Sequence, residues 1–369
     1  MKKILAMMLT AAMMLSMSAA VMADETTYTD EATVTITKVY KETNEGTTSP
    51  AETFEFTVAE GWEGKYVTDS TVADTADAVK ASYKEGTKIE IDDVTYEAGD
   101  ATVDGAEKPV LITLPEYTVV GIYYYTITET KADTAGVTYY TTPIMLKVTV
   151  VEQDGKVRVA AVHTEEGYNG TEADGTKKDK FENLYSAGSL AVSKTVTGIL
   201  GDKTKDFTVR VVFTAPAGKT VREAITYTDD NETKTIAANW TGSTDEIVID
   251  LKDGETVTFT NIPTDVTYTV VEDSYASEEY DAAKYVNSDN ATTDTGAGTI
   301  SLTETTKTID GKEVTVKVAD ADTVAITNNK GGNVDTGISV DSIPYIAMLG
   351  VVAIGGAGFM VSKKRRSED

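Results

Sequence analysis

The chain has 369 residues, enough for two domains of ordinary size plus processing segments, each domain large enough to bury a core. Its 33 basic and 60 acidic side chains give a formal charge of -27, which leaves no surplus of cations for phosphates and excludes nucleic acid as a partner. There is no cysteine to form a disulfide, and the one histidine, His163 beside Thr164-Glu165-Glu166, argues against a Ser-His-Asp triad and a multi-histidine metal site; no cofactor is expected.

In chain order, Met1 to Ala23 carries Lys2 and Lys3, an apolar run from Ile4 to Met17 and the ending Val21-Met22-Ala23, the pattern of a secretory signal peptide cleaved after Ala23. From Asp24 onward Thr, Val and Tyr alternate with polar residues, which favours antiparallel β-sandwiches over helices. The first strand is expected over residues 32–40, with Val34, Ile36 and Lys38 on one face. Further strands are expected at 54–58, 88–91 and 110–114, and residues 71–83 as a short helix. Residues 123–129 place Tyr125, Ile127 and Glu129 on one face, so an acidic side chain points inward. Residues 143–151 and 156–162 form a hairpin across Gln153-Asp154-Gly155. In 181–185 the core face is Phe181, Asn183 and Tyr185. Ser186-Ala187-Gly188-Ser189 then reads as a short flexible joint between one domain at 24–187 and a second at 188–330.

The second half replays this order. Leu190, Val192 and Lys194 repeat the V-x-I-x-K of the first strand, and strands follow at 207–213 and 256–261. Tyr268, Val270 and Glu272 repeat the Y-x-I-x-E pattern, and Val324, Ile326 and Asn328 close the domain, parity choosing Asn328 over Asn329. The interval from Glu to Asn is 183 − 129 = 54 positions in the first copy and 328 − 272 = 56 in the second. Residues 331–369 contain Asn333-Val334-Asp335-Thr336-Gly337, an apolar run over 343–361 long enough to cross a membrane once, and the basic Lys363-Lys364-Arg365-Arg366 that holds its end in the cytoplasm.

Each repeat thus offers an inward Lys on its first strand, Glu on a middle strand and Asn on its last: Lys38, Glu129, Asn183, and Lys194, Glu272, Asn328. A single lysine on a strand face ordinarily sits at a sheet edge with its head in water. Two triads in the same order and phase argue for buried sites instead. Burial lowers the pKa of lysine and raises that of glutamate, so the amine becomes a nucleophile and the protonated acid can polarise the Asn side-chain carbonyl and shuttle protons as ammonia leaves. The product is a Lys-Asn amide, made once and without turnover.

On the residues VTITK and LAVSK, YTITE and YTVVE, FENLY and AITNN, and NVDTG with its span and tail, the chain resembles the backbone pilins of Gram-positive bacteria. The resemblance implies an all-β fold of two tandem Ig-like (Cna-B/pilin-type) β-sandwiches, flanked by a signal peptide and a transmembrane sorting segment. It also implies autocatalytic isopeptide bonds joining Lys38 to Asn183 and Lys194 to Asn328, with Glu129 and Glu272 as the catalytic acids. The family's subunits are joined by sortase, which carries over as cleavage between Thr336 and Gly337 with Thr336 as acyl donor. The implied partners are sortase, other pilin subunits, peptidoglycan and, before cleavage, the membrane, and the implied location is the cell wall and surface. Asn333-Val334 stand where the usual signal begins Leu-Pro, which leaves the sortase class open, and Val324-Ala325-Ile326 depart from the Phe181 of the first closing strand. In similar pilins the acceptor lysine lies in the first domain, where Lys177, Lys178 and Lys180 are the candidates, without a clear pilin motif around them. The alternative is an unpolymerised wall-anchored adhesin whose host ligand meets the surface near Trp62 or Trp240. A secreted enzyme with paired carboxylates lacks a motif, and Asp229-Asp230-Asn231 lacks the spacing of a calcium loop.

Overall fold

In a computed structural model the described residues are 32–58, 66–68, 71–73, 88–166, 177–229, 232–288, 292–293, 295–309 and 312–331. The signal segment, Trp62, the pentapeptide ending in Gly337, the apolar run and the basic tail lie outside them. Among the described residues no helix is long and apolar enough to cross a membrane.

The alternation of apolar and polar residues folds into two sandwiches. In the first, one sheet runs in the order Val137–Thr138, Lys180–Tyr185, Thr33–Glu42, Ala106–Thr113, Glu90–Ile91, and the other in the order Lys156–Glu166, Ile144–Gln153, Gly121–Glu129, Phe56–Val58. Ile36, Val110, Ile112, Tyr125, Ile127, Leu146 and Phe181 meet between them as the core. The second sandwich faces the sheet Glu232–Ile236, Ile225–Asp229, Thr256–Pro263, Ala187–Thr197, Ala321–Asn329, Lys284–Asn287, Thr292–Thr293 against Ile247–Leu251, Phe207–Thr214, Thr267–Glu272, Gly296–Thr299. In both, the first strand lies beside the last and parallel to it. Chain therefore enters at one pole and leaves at the other.

The hairpin across Gln153-Asp154-Gly155 is present, with positive φ at Asp154 (53°) and Gly155 (75°), the turn that matches the twist of its strands. Three expectations are corrected. Residues 54–58 are not one strand: Glu52–Phe54 pairs with Val94–Tyr96 and Phe56–Val58 pairs with Gly121–Glu129, so the chain changes partners at Glu55 and turns both phenylalanines into the core. The helix over 71–83 gives way at its start to the strand Thr71–Ala73, paired with Tyr66–Thr68, and the rest of it lies outside the described residues. Thr71 and Val72 are β-branched, which favours the strand.

The third correction concerns the joint. Ser186 is buried and is the one residue between the strands Lys180–Tyr185 and Ala187–Thr197. Its N–H donates to Gly136 O at 2.9 Å and its O accepts from Thr264 N at 3.0 Å. The small residues are needed for close approach: a Cβ on Gly188 would stand 2.2 Å from Asp320 O. Around the joint, Arg222 of the second domain reaches Asp133 and donates to Thr134 Oγ1 at 3.0 Å. Asn44 donates to Ala187 O at 3.1 Å, and Thr48 N donates to Asn261 Oδ1 at 3.0 Å.

Candidate functional site

Thr33–Glu42 presents alternate residues inward, and this period carries Lys38 to complete burial. Its parallel neighbour pairs Phe181 with Lys38 and Asn183 with Tyr40, so Asn183 sits one step along the same inner face. Glu129 ends the strand Gly121–Glu129 of the opposite sheet and reaches the pair from across the core. The second domain repeats the register, with Ile326 opposite Lys194, Asn328 opposite Val196, and Glu272 ending Thr267–Glu272 of the facing sheet. Ile326 therefore takes the position of Phe181, which accounts for the departure in the second closing strand: either side chain is an apolar residue beside the lysine.

All six polar side chains of the two triads are buried. Lys38 Nζ donates to Glu129 Oε2 at 2.8 Å, while Asn183 Nδ2 donates to Glu129 Oε1. Lys194 Nζ donates to Glu272 Oε2, and Asn328 Nδ2 donates to Glu272 Oε1 at 2.5 Å. In both domains one carboxylate thus bridges an amine and a side-chain amide nitrogen, each oxygen taking one of them. The aromatic floor is also repeated, with Lys38 Nζ 4.1 Å from the Phe54 ring centroid and Lys194 Nζ 3.9 Å from that of Phe207.

Burial sets the electrostatics. Removal from water pulls Lys38 down to about 8, against the opposing pull of the Glu129 carboxylate. Burial pushes Glu129 up, Lys38 and the Asn183 hydrogen bond work the other way, and the buried carboxyl of Glu52 adds to the rise. Lys194 is lowered by burial against the nearby Glu272.

The glutamates do not contact the asparagine carbonyls as the sequence suggests; they hold the amide nitrogens. In the first domain Asn183 Oδ1 accepts instead from the Tyr140 backbone N–H at 2.8 Å, and in the second Asn328 Oδ1 accepts from Lys194 Nζ. Asn329 faces away from the triad, its Nδ2 donating to Asp281 Oδ2 at 2.7 Å. Sequence reading also missed Phe54, Phe207 and Glu52. The two phenylalanines carried a signal, each being the first aromatic after its lysine strand. The Tyr140 N–H carried none.

The other predicted residues are dispersed. Lys177 pairs with Asp179 at 3.4 Å, Lys178 with Glu166 at 3.7 Å and Lys180 with Glu107 at 2.6 Å, beside the closing strand of the first domain. His163 stands at the surface, 3.1 Å from Glu165. Asp229 is engaged by Lys234 at 2.6 Å, and Trp240 packs partly buried against the second core. Thr336 and Gly337 lie outside the described residues.

Residues 34–186 match the family described as a Spy0128-like isopeptide containing domain, and 188–330 match a domain of unknown function, DUF7601. A curated pilin of Streptococcus pyogenes serotype M1 is 32% identical over 247 residues, covering 66% of this chain and 68% of that protein. The chain belongs to the pilin family. Among solved structures, the major pilin protein of Streptococcus pyogenes serotype GAS13637 shares the fold, with a TM-score of 0.50 at 18% identity over 82% of this chain and 99% of that one. The major pilin from Streptococcus pyogenes aligns over the same shares at 25% identity with a TM-score of 0.49. This pilin is a structural subunit of a Gram-positive pilus, a surface protein whose partners include other pilin subunits. The unpolymerised adhesin is accordingly not the favoured reading.

Proposed function

We propose that this pilin closes each domain with an isopeptide bond, Lys38 to Asn183 and Lys194 to Asn328, and that sortase then joins it through Thr336 to a lysine of the next subunit. The observation that carries the first part is the carboxylate bridging amine and amide nitrogen in both sites. The neutral Lys38 amine attacks Asn183 Cγ and a C–N bond forms. Glu129 takes a proton from the attacking nitrogen at Oε2 and delivers one from Oε1 to Nδ2, the Cγ–Nδ2 bond breaks, and ammonia leaves. One amine and one primary amide become one secondary amide and one ammonia, with no oxidant or energy source. Glu272 performs the same transfer between Lys194 and Asn328.

Export through the Met1–Ala23 segment, retention by the 343–361 span until cleavage, and final attachment to other subunits or peptidoglycan complete the reading, on the strength of the sequence alone. Lys177, Lys178 and Lys180 are the proposed acceptor lysines.

Intact mass of the soluble chain from Asp24 to Lys330 tests the bonds. The expected result is a deficit of two ammonias, reduced to one in Glu129→Ala, in Glu272→Ala and in Asn328→Ala, and unchanged in Asn329→Ala. A full-mass wild-type chain would sink the chemistry.

The pH dependence follows from proton counting. The reactive pair, neutral amine with protonated acid, holds one proton. Above about 8 the Lys38–Glu129 pair loses it and Nδ2 has no acid; below the raised range of Glu129 the pair holds two and there is no nucleophile. The rate of first-domain bond formation is therefore expected to be bell-shaped, its alkaline limb falling through pH 8. A rate that climbs steadily to pH 10 would show that Glu129 carries no proton in the reaction.

A further inference from the structure

We propose that the Tyr140 backbone N–H is the oxyanion donor of the first cross-linking site. The proposal rests on the bond-forming reading above and deepens it. When Lys38 Nζ adds to Asn183 Cγ, the carbonyl electron pair moves onto Oδ1, and that charge develops in a buried place. Glu129 cannot meet it, because its two oxygens are committed to Lys38 Nζ and Asn183 Nδ2. The group that does face Oδ1 is the Tyr140 N–H, at 2.8 Å, the distance at which a preorganised donor stabilises a developing oxyanion. As the intermediate collapses, the electron pair returns to re-form the carbonyl and the Cγ–Nδ2 bond breaks, so the donor ends bonded to the new amide oxygen.

The fold holds this donor in place. The short strand Val137–Thr138 pairs with Tyr185 and Leu184 at the edge of the sheet. Two residues later the chain has left the ladder, and the Tyr140 N–H turns to the asparagine side chain instead. The Tyr140 ring packs edge-on against Phe181, with centroids 5.6 Å apart at 88°. Its hydroxyl donates to Glu166, and Lys178 Nζ stands 5.3 Å from its ring. The second site is built differently, since Asn328 Oδ1 faces Lys194 Nζ itself. The two reactions in one chain therefore meet different groups at the same atom, and the second serves as an internal clock for the first.

The test replaces the 139–140 amide by an ester in the full chain, using the α-hydroxy analogue of tyrosine, so that the N–H alone is lost. Intact mass and peptide mapping at intervals after cell-free synthesis follow each bond. The expected result is about 100-fold slower formation of the Lys38–Asn183 bond with the Lys194–Asn328 bond unchanged. Equal rates for the first bond in ester and wild type would overturn the proposal and leave the cross-link reading intact. A wild-type chain that loses no ammonia would overturn the reading itself. Hydrogen exchange in the non-reacting chain carrying Lys38→Met with Glu129→Leu supplies an independent measurement should the ester disturb folding. A Tyr140 amide protected there and released by a further Asn183→Ala change is expected, and an unprotected one contradicts the proposal.

Discussion

Glu129→Ala is expected to destabilise the first domain more than the double change Lys38→Met with Glu129→Leu, although neither chain can form the bond. Both lose the proposed link, which closes 183 − 38 = 145 residues and is worth about 5 kcal/mol through the unfolded state on the analogy of a disulfide loop. Glu129→Ala also leaves Lys38 buried over Phe54 without its ion-pair partner. Breaking a buried pair from one side costs about 3–5 kcal/mol, whereas exchanging both members for apolar groups of similar volume is often neutral. Relief comes to the single mutant only by surrendering the lysine proton, which burial already favours. Urea unfolding at neutral pH is expected to place the single mutant at least about 2 kcal/mol below the double. Against a typical domain stability of about 5–15 kcal/mol, its first sandwich stands near the limit of folding. Equal stability of the two chains would mean that Lys38 finds another partner or stays neutral without cost.

The second large effect is mechanical. The residues proposed to bond lie on the first and last strands of each sandwich, which run parallel and adjacent, so tension is expected to pass from entering to leaving strand through the cross-link without loading the hydrogen-bond ladder between. Pulled from its ends, the wild-type chain is expected to release neither the 145 residues closed by the first link nor the 328 − 194 = 134 closed by the second. Glu129→Ala is expected to gain one extension step of about 500 Å, and Glu272→Ala one of about 470 Å, at roughly 3.5 Å per residue. Steps of that size in the wild type would show that the links are absent or lie outside the path of force.

Much of this was legible in the residues because strands have a period of two. Lys38, Glu129 and Asn183 stood in phase with apolar neighbours, and a polar residue in phase with a core face is informative where a hydrophobic one is not. The repeat doubled that signal. Periodicity does not say which strands are neighbours, so the parallel register and the arrival of Glu129 from the opposite sheet appear only in three dimensions. The same limit explains the error over the acid. Sequence told which groups were inside, not which atom of Asn183 each would meet, and the Tyr140 N–H is a backbone group present at every residue but proline. Ser186 to Ser189 misled because small residues mark both mobile joints and tight packing; at Gly188 the second cause operates, with Asp320 O filling the space a Cβ would need.

That packing bears on how a filament of these subunits flexes. A hinge needs a stretch of backbone whose bonds can be surrendered cheaply, and between Tyr185 and Ala187 there is one buried residue bonded on both sides, with Asp133, Arg222, Asn44 and Asn261 bracing its flanks. Each subunit then behaves as a stiff rod rather than as two beads on a string. Curvature under flow is consigned to the places where one rod is fastened to the next, so the spacing of bends along a filament is set by the length of a whole subunit and not by that of a domain.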